Sequence, residues 1–233
     1  FGLIAATHQV PRPRRHGDDP YVEYRSNRMS EEHIRSKGGD MPLRYCQATP
    51  DLRLPGDPYI QGEDDIAARA LVFSCIENFP EGPIWLLSSD DVISQLSADD
   101  IDALSENMYE VFDSWSEYWN RDELRENQCV VQLSLKKKSR WMSYDINRFN
   151  MLFSNEERFK AALSHLTHAV ADVGYDAERK AIPIFLGRGD ALLVDNYRML
   201  HARKERFYLF GQWPGRAYTQ RWLRMYTGYP EFH

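Results

Sequence analysis

Long hydrophobic runs are missing from this 233-residue chain, and no segment approaches the roughly 20 apolar residues that a helical membrane span requires. Positive charge is also in deficit. With 29 Lys and Arg against 35 Asp and Glu, the net charge of −6 gives no global attraction for nucleic acid or for an anionic membrane. Cysteine is scarce: Cys46, Cys75 and Cys129 do not make a disulfide framework, and a reducing, cytoplasmic setting is the simplest expectation. No basic-then-apolar signal segment, internal repeat or low-complexity tract is seen within these 233 residues, which begin at Phe1 and not at a methionine.

What is present is ample apolar material, 42% hydrophobic with 13% aromatic, enough for a packed core. Breakers divide it into short runs. Strands are expected at 70–76, 84–87, 129–135, 141–144, 181–186, 191–194, 207–210 and 218–226, with a short extended segment at 41–45. The tight turn Gly187-Arg188-Gly189-Asp190 predicts a hairpin between 181–186 and 191–194. Short helices are expected at 30–37, 89–96 and 97–107, the last capped by Ser97. The best helix is 155–173, where Phe159, Leu163, Leu166, Val170 and Val173 form one stripe and Gly174 is read as its stop.

Residues 1–40 contain Pro11-Arg12-Pro13-Arg14-Arg15-His16, which disfavours regular structure, and are read as an irregular arm or a lid preceding a domain over 41–233. Many short strands with few helices point to a mainly β chain with helices flanking a closed or double-sheet core.

The stretch 189–203 carries the chemistry. Asp195-Asn196 ends a short strand with side chains able to bond nearby backbone, and His201 follows just beyond it, flanked by Arg198 and Arg203. An imidazole held by a rigid element with cations beside it suits a site for a metal and an anionic ligand.

Asp195-Asn196-x-Arg198-x-x-His201-x-Arg203, followed by Arg221-Trp222-Leu223, resembles the C-terminal signature of the iron(II)- and 2-oxoglutarate-dependent oxygenases. The branch it looks most like is that of taurine dioxygenase and clavaminate synthase, with the related amino-acid β-hydroxylases. The likeness extends over about 41–226. It implies a double-stranded β-helix (jelly-roll) core, Fe(II) as metal, 2-oxoglutarate as cosubstrate, and a small amino-acid-like substrate hydroxylated or desaturated with release of succinate and CO2. Two histidines and a carboxylate would occupy one face of such an iron.

Carried onto this chain, the resemblance makes His201 the late histidine. It makes Arg221, 20 residues further on (221 − 201), the guanidinium that pairs with the far carboxylate of 2-oxoglutarate. The loop at 211–215 accounts for the long interval and leaves Arg216 as a second candidate, with Arg203 a third. The early ligands depart from the pattern. Glu63 falls on the acidic ligand, and Gln61 replaces the first histidine, a poorer ligand for iron(II).

His16-Gly17-Asp18 is a competing literal match, set 185 residues before His201 (201 − 16). Where relatives place a threonine on the cosubstrate, this chain has Trp85 and Leu86. These departures keep open a second class of function, a degenerate barrel serving as a binding or scaffolding protein. His165-x-x-His168, Lys136-Lys137-Lys138 and the aromatics Trp115, Tyr118 and Trp119 are read as structural or solvated features.

Overall fold

The computed structural model describes residues 9–11, 21–25, 43–47, 53–62, 66–79, 83–112, 124–133, 140–145, 156–175, 180–203 and 220–230. In chain order the strands are β1 (Gln9–Pro11), β2 (Tyr21–Arg25), β3 (Leu43–Cys46), β4 (Ala70–Phe79), β5 (Ile84–Ser88), β6 (Tyr109–Phe112), β7 (Leu124–Gln128), β8 (Val131–Leu133), β9 (Arg140–Met142), β10 (Ile182–Ile184), β11 (Ala191–Asp195), β12 (Met199–Arg203) and β13 (Gln220–Pro230). The helices are α1 (Ser89–Ile93), α2 (Ala98–Ser105) and α3 (Glu157–Tyr175). The chain is mainly β with flanking helices, as the run lengths predict.

Two sheets dominate. The first runs β1-β13-β4-β11, with β2 also paired to β13; the second runs β10-β5-β12-β3. Strand alternation gives the second sheet two apolar faces. Leu87, Leu200, Ala202 and Tyr45 look outward and pack with residues of α1, α2 and α3. Ile84 and Leu86 look inward and pack with Leu71, Phe73 and Cys75 of β4 and Val194 of β11. Between the sheets lies a narrow interior lined by both.

α3 covers the outer face because its stripe is real: Phe159, Leu166, Val170 and Val173 are buried and Leu163 packs beside them. Each such burial is worth about 1.5–3 kcal/mol. The helix does not stop at Gly174 but continues to Tyr175. Gly174 serves space rather than termination, since a Cβ there would sit 2.4 Å from Cε2 of the buried Tyr45, whose hydroxyl donates to the Gly174 carbonyl at 3.0 Å.

The expected hairpin between 181–186 and 191–194 does not form. β10 pairs with β5 and β11 with β4, so the chain changes sheets between them. Two facts explain this. Pro183 cannot donate to a ladder and belongs on an edge strand, and β10 is the edge of its sheet. The turn at 187–190 spends its backbone groups on β4, with Cys75 N–H donating to the Asp190 carbonyl at 2.9 Å and Gly189 N–H to the Cys75 carbonyl at 2.9 Å.

Within 1–40, where no strand is expected, β1 and β2 pair with β13. β6 and β7, which no expected element covers, pair with each other. The segments expected at 30–37 and 207–210, together with Lys136, Lys137, Lys138, Trp115, Tyr118 and Trp119, lie outside the described residues.

Candidate functional site

His201 lies within β12 rather than beyond a strand end, directly opposite Leu86 of β5 on one side and Cys46 of β3 on the other. Residues facing each other across an antiparallel pair project to the same side. His201 therefore shares the inward face of Leu86. Its ring lies 5.3 Å, centroid to centroid, from Phe73 of the opposing sheet, and only 5% of the residue is exposed. Its Nε2 lies 4.0 Å from the Cys46 thiol.

The turn before β12 is what fixes this position. Tyr197 N–H donates to Asp195 Oδ1 at 3.1 Å and Arg198 N–H to the Asp195 carbonyl at 3.2 Å, a local Asx-type turn. Asn196, buried, donates from Nδ2 to the Ala68 carbonyl at 2.7 Å and from its backbone to the Arg69 carbonyl at 2.6 Å. The Gln47 amide donates to the Asn196 carbonyl. Tyr197 reaches the Ala67 carbonyl with its hydroxyl at 2.6 Å. Arg198 donates to Asp90 of α1 at 2.7 Å, and its carbonyl accepts from Ser89 N–H at 2.8 Å. Asp195 also sits 3.8 Å from the Arg69 guanidinium.

The motif residues around His201 thus act as a clasp. They join the entry to β12 to residues 67–69, to Gln47 just after β3 and to α1. Arg198 spends its charge on Asp90, so its role is to hold the clasp.

Upstream of the clasp, residues 53–62 form a loop pinned by the buried Asp57. Its carboxylate accepts from Asn107 Nδ2 at 2.8 Å, from Tyr59 N–H at 2.8 Å and from Arg53 at 3.3 Å. Burial, with the Asp57 carboxylate beside it, pushes the neighbouring Cys129 thiol up to about 12. Gln61 stands exposed at the end of this loop.

Glu63, Arg216, His16 and Asp18 lie outside the described residues, and of Arg203 and Arg221 only the backbone is described. Arg221 is the second residue of β13, opposite Asn78 near the end of β4, so its backbone belongs to the sheet facing that of His201. Of the two positions matched to the cosubstrate threonine, Leu86 stands beside His201, whereas Trp85 packs on the helix side. His165 and His168 are exposed, and His165 pairs with Asp100 at 2.8 Å. Among the described residues no group of three His, Cys, Asp or Glu converges as a metal cluster. Cys46 is the neighbour that sequence reading missed: the contact spans 155 residues and depends wholly on register, with no local signal.

The chain matches the taurine catabolism dioxygenase TauD, TfdA family over residues 61–227. No curated protein matches the sequence significantly. Among solved structures, it is similar to the non-heme iron oxygenase OrfP in complex with Fe and alpha-ketoglutaric acid. That match has a TM-score of 0.61 and 19% identity, covering 90% of this chain and 56% of that one. OrfP with Fe, succinate and (3S)-hydroxy-L-Arg gives a TM-score of 0.62 at 19% identity, covering 91% and 60%. Asparagine oxygenase in complex with Fe(II), 2S,3S-3-hydroxyasparagine and succinate gives 0.55 at 16% identity, covering 83% and 51%. The chain spans little more than half the length of these proteins. With a buried histidine on an inward-facing strand and a family match covering well over half of its length, this chain belongs to the TauD/TfdA family.

Proposed function

We propose that this chain is the core of an iron(II)- and 2-oxoglutarate-dependent oxygenase acting on a small amino-acid-like substrate, built on a jelly-roll whose two walls are the principal sheets. The observation that carries the reading is His201, buried on the inward face of β12 and held there by the clasp. A buried imidazole walled by Phe73 and Leu86 fits a metal ligand, because the apolar walls exclude water that would compete for an open coordination position.

Glu63 is our acidic ligand. The family resemblance is what assigns it that role. Gln61 is the position of the absent first histidine, with His16 and Asp18 the competing source of early ligands. Arg221 is our partner for the far carboxylate of 2-oxoglutarate, with Arg216 and Arg203 behind it. Its planar fork makes two parallel bonds to a carboxylate. When bound, iron and 2-oxoglutarate would activate dioxygen, one oxygen atom leaving in succinate as 2-oxoglutarate loses CO2 and the other oxidising the substrate. The task of these residues is to hold both groups and keep the space between the sheets dry.

Residues 1–40, read as an arm or lid, contribute β1 and β2 beside β13, and we place them and the domain of 41–233 in one functional unit. OrfP and asparagine oxygenase are crystallised with amino-acid ligands, which supports the substrate class. We place the protein in the cytoplasm, in keeping with three cysteines outside disulfides. No described helix is long and apolar enough to cross a membrane.

Anaerobic addition of Fe(II) and 2-oxoglutarate tests the assignment. The visible charge-transfer absorption of a chelated complex is expected at one equivalent and is expected to vanish in His201→Ala. A specific feature favours a second reading, a binding protein without catalysis: Gln61 is exposed and Leu86 is apolar where the family's polar groups are expected. That reading predicts no absorption in the wild-type protein.

A further inference from the structure

β3 and β12 set two ligand-type side chains against each other in the wall of the inter-sheet space. Cys46 stands directly across from His201 in the antiparallel register, so both project inward. Cys46 is 6% exposed and His201 5%, and the Sγ–Nε2 separation is 4.0 Å. One ion held at about 2.3 Å by sulfur and about 2.1 Å by nitrogen would set those atoms about 3.1 Å apart in a six-coordinate site and about 3.6 Å apart in a tetrahedral one. The observed gap is wider by about 0.4–0.9 Å, so side-chain rotation must accompany binding.

The same row continues to Asp145, which bridges to Cys46 from the far side. Two strand spacings, about 10 Å, then separate Asp145 from His201, too far to share an ion. The pair that can share one is Cys46 with His201.

Resting on the metal reading above, we propose that Cys46 is a metal ligand, binding as the thiolate beside His201 and supplying the donor that the exposed Gln61 does not. Among the described residues, the donors are then the His201 imidazole and the Cys46 thiolate. Sulfur moves the site's preference toward Fe(II), Co(II) and Zn(II) and away from Mg(II) and Mn(II). An ordinary core contact between a thiol and a ring would need none of this, and the two roles differ in spectroscopy rather than in stability.

Titration of the metal-free full chain with Co(II) separates them. The expected result at one equivalent is a set of visible ligand-field bands together with an intense near-ultraviolet band from sulfur-to-cobalt charge transfer. Cys46→Ser is expected to lose the near-ultraviolet band and to bind Co(II) more weakly by roughly tenfold or more. Cys75→Ser and Cys129→Ser should keep it, and His201→Ala should weaken the whole spectrum. Cys46→Ala replaces Cys46→Ser if the hydroxyl proves too polar for the core.

Ligand-field bands without a near-ultraviolet band in the wild-type protein would overturn thiolate ligation and leave the metal reading standing. The same holds if the near-ultraviolet band survives in both Cys46 variants. No cobalt spectrum at all would overturn the metal reading, and this proposal with it.

Discussion

Asn196 is where the sequence motif and the fold meet, and replacing it tests whether its side chain holds the clasp together as a buried donor. Its side chain is buried and donates from Nδ2 to the Ala68 carbonyl at 2.7 Å. Asn196→Ala removes that bond, a net loss of about 0.5–1.5 kcal/mol for an ordinary intramolecular hydrogen bond. Asn196→Asp keeps the shape but sets an acceptor against an acceptor in a buried site, adding repulsion and the cost of desolvating a charge.

The expected order of stability at pH 7 is wild type, then the Ala variant, then the Asp variant, with the last about 1–3 kcal/mol below the Ala variant. Burial raises a carboxyl pKa, so protonating the Asp variant in mild acid restores a donor and narrows its gap to wild type. Urea unfolding followed by tryptophan fluorescence at pH 7 and pH 5 reads both effects. An Asp variant at least as stable as the Ala variant, or a gap that widens in acid, would refute the claim that this side chain works as a buried donor.

Gly174→Ala is expected to destabilise by about 1–3 kcal/mol through overpacking against Tyr45, reduced by about 1 kcal/mol of helix-propensity gain. In a Tyr45→Ala background the same change should turn stabilising, and a double-mutant cycle in urea that shows simple additivity would refute the clash. Asp100 is held below its ordinary 3.8: burial pushes it up, but hydrogen bonds from Ser97 and His165 outweigh that. A depressed carboxyl contributes stability above its unfolded pKa and loses it as pH falls through the folded value. The stability gap between wild type and Asp100→Asn should therefore close in acid, and a gap constant from pH 6 to pH 3 in thermal melts would contradict it. Cys129, with its thiol pushed up to about 12, should resist disulfide reagents at pH 8, where only about one thiol in ten thousand is ionised. Mass mapping that finds it labelled within seconds in the folded protein would contradict this.

Much of this was legible from residue order alone. The α3 stripe follows from steps of three and four that only a helix puts on one side, and the Ser97 cap at α2 follows from its place just before the helix. The Asp195-Asn196 turn follows from side chains that bond their own backbone. Sheet membership did not follow. β10 and β11 flank a tight turn, which favours a hairpin locally, but the competing pairings with β5 and β4 are non-local and win by burying Val194 and Ile184 from opposite walls. Gly174 was misread because a helix stop and a close approach both call for glycine, and only the position of Tyr45 distinguishes them. His201 was legible through its motif. Its neighbour Cys46 was not, since cross-strand pairs at long separation leave no periodic trace.

Succinate formation from 2-oxoglutarate by the purified full chain with Fe(II) and oxygen tests the oxygenase assignment most directly. Turnover is expected in the wild-type protein, even uncoupled from any amino acid, and loss to background in His201→Ala, with folding of the variant checked by its thermal melt. Equal succinate in the wild type and in a folded His201→Ala variant, or none from a wild-type protein that holds one equivalent of Fe(II) and 2-oxoglutarate, would contradict it.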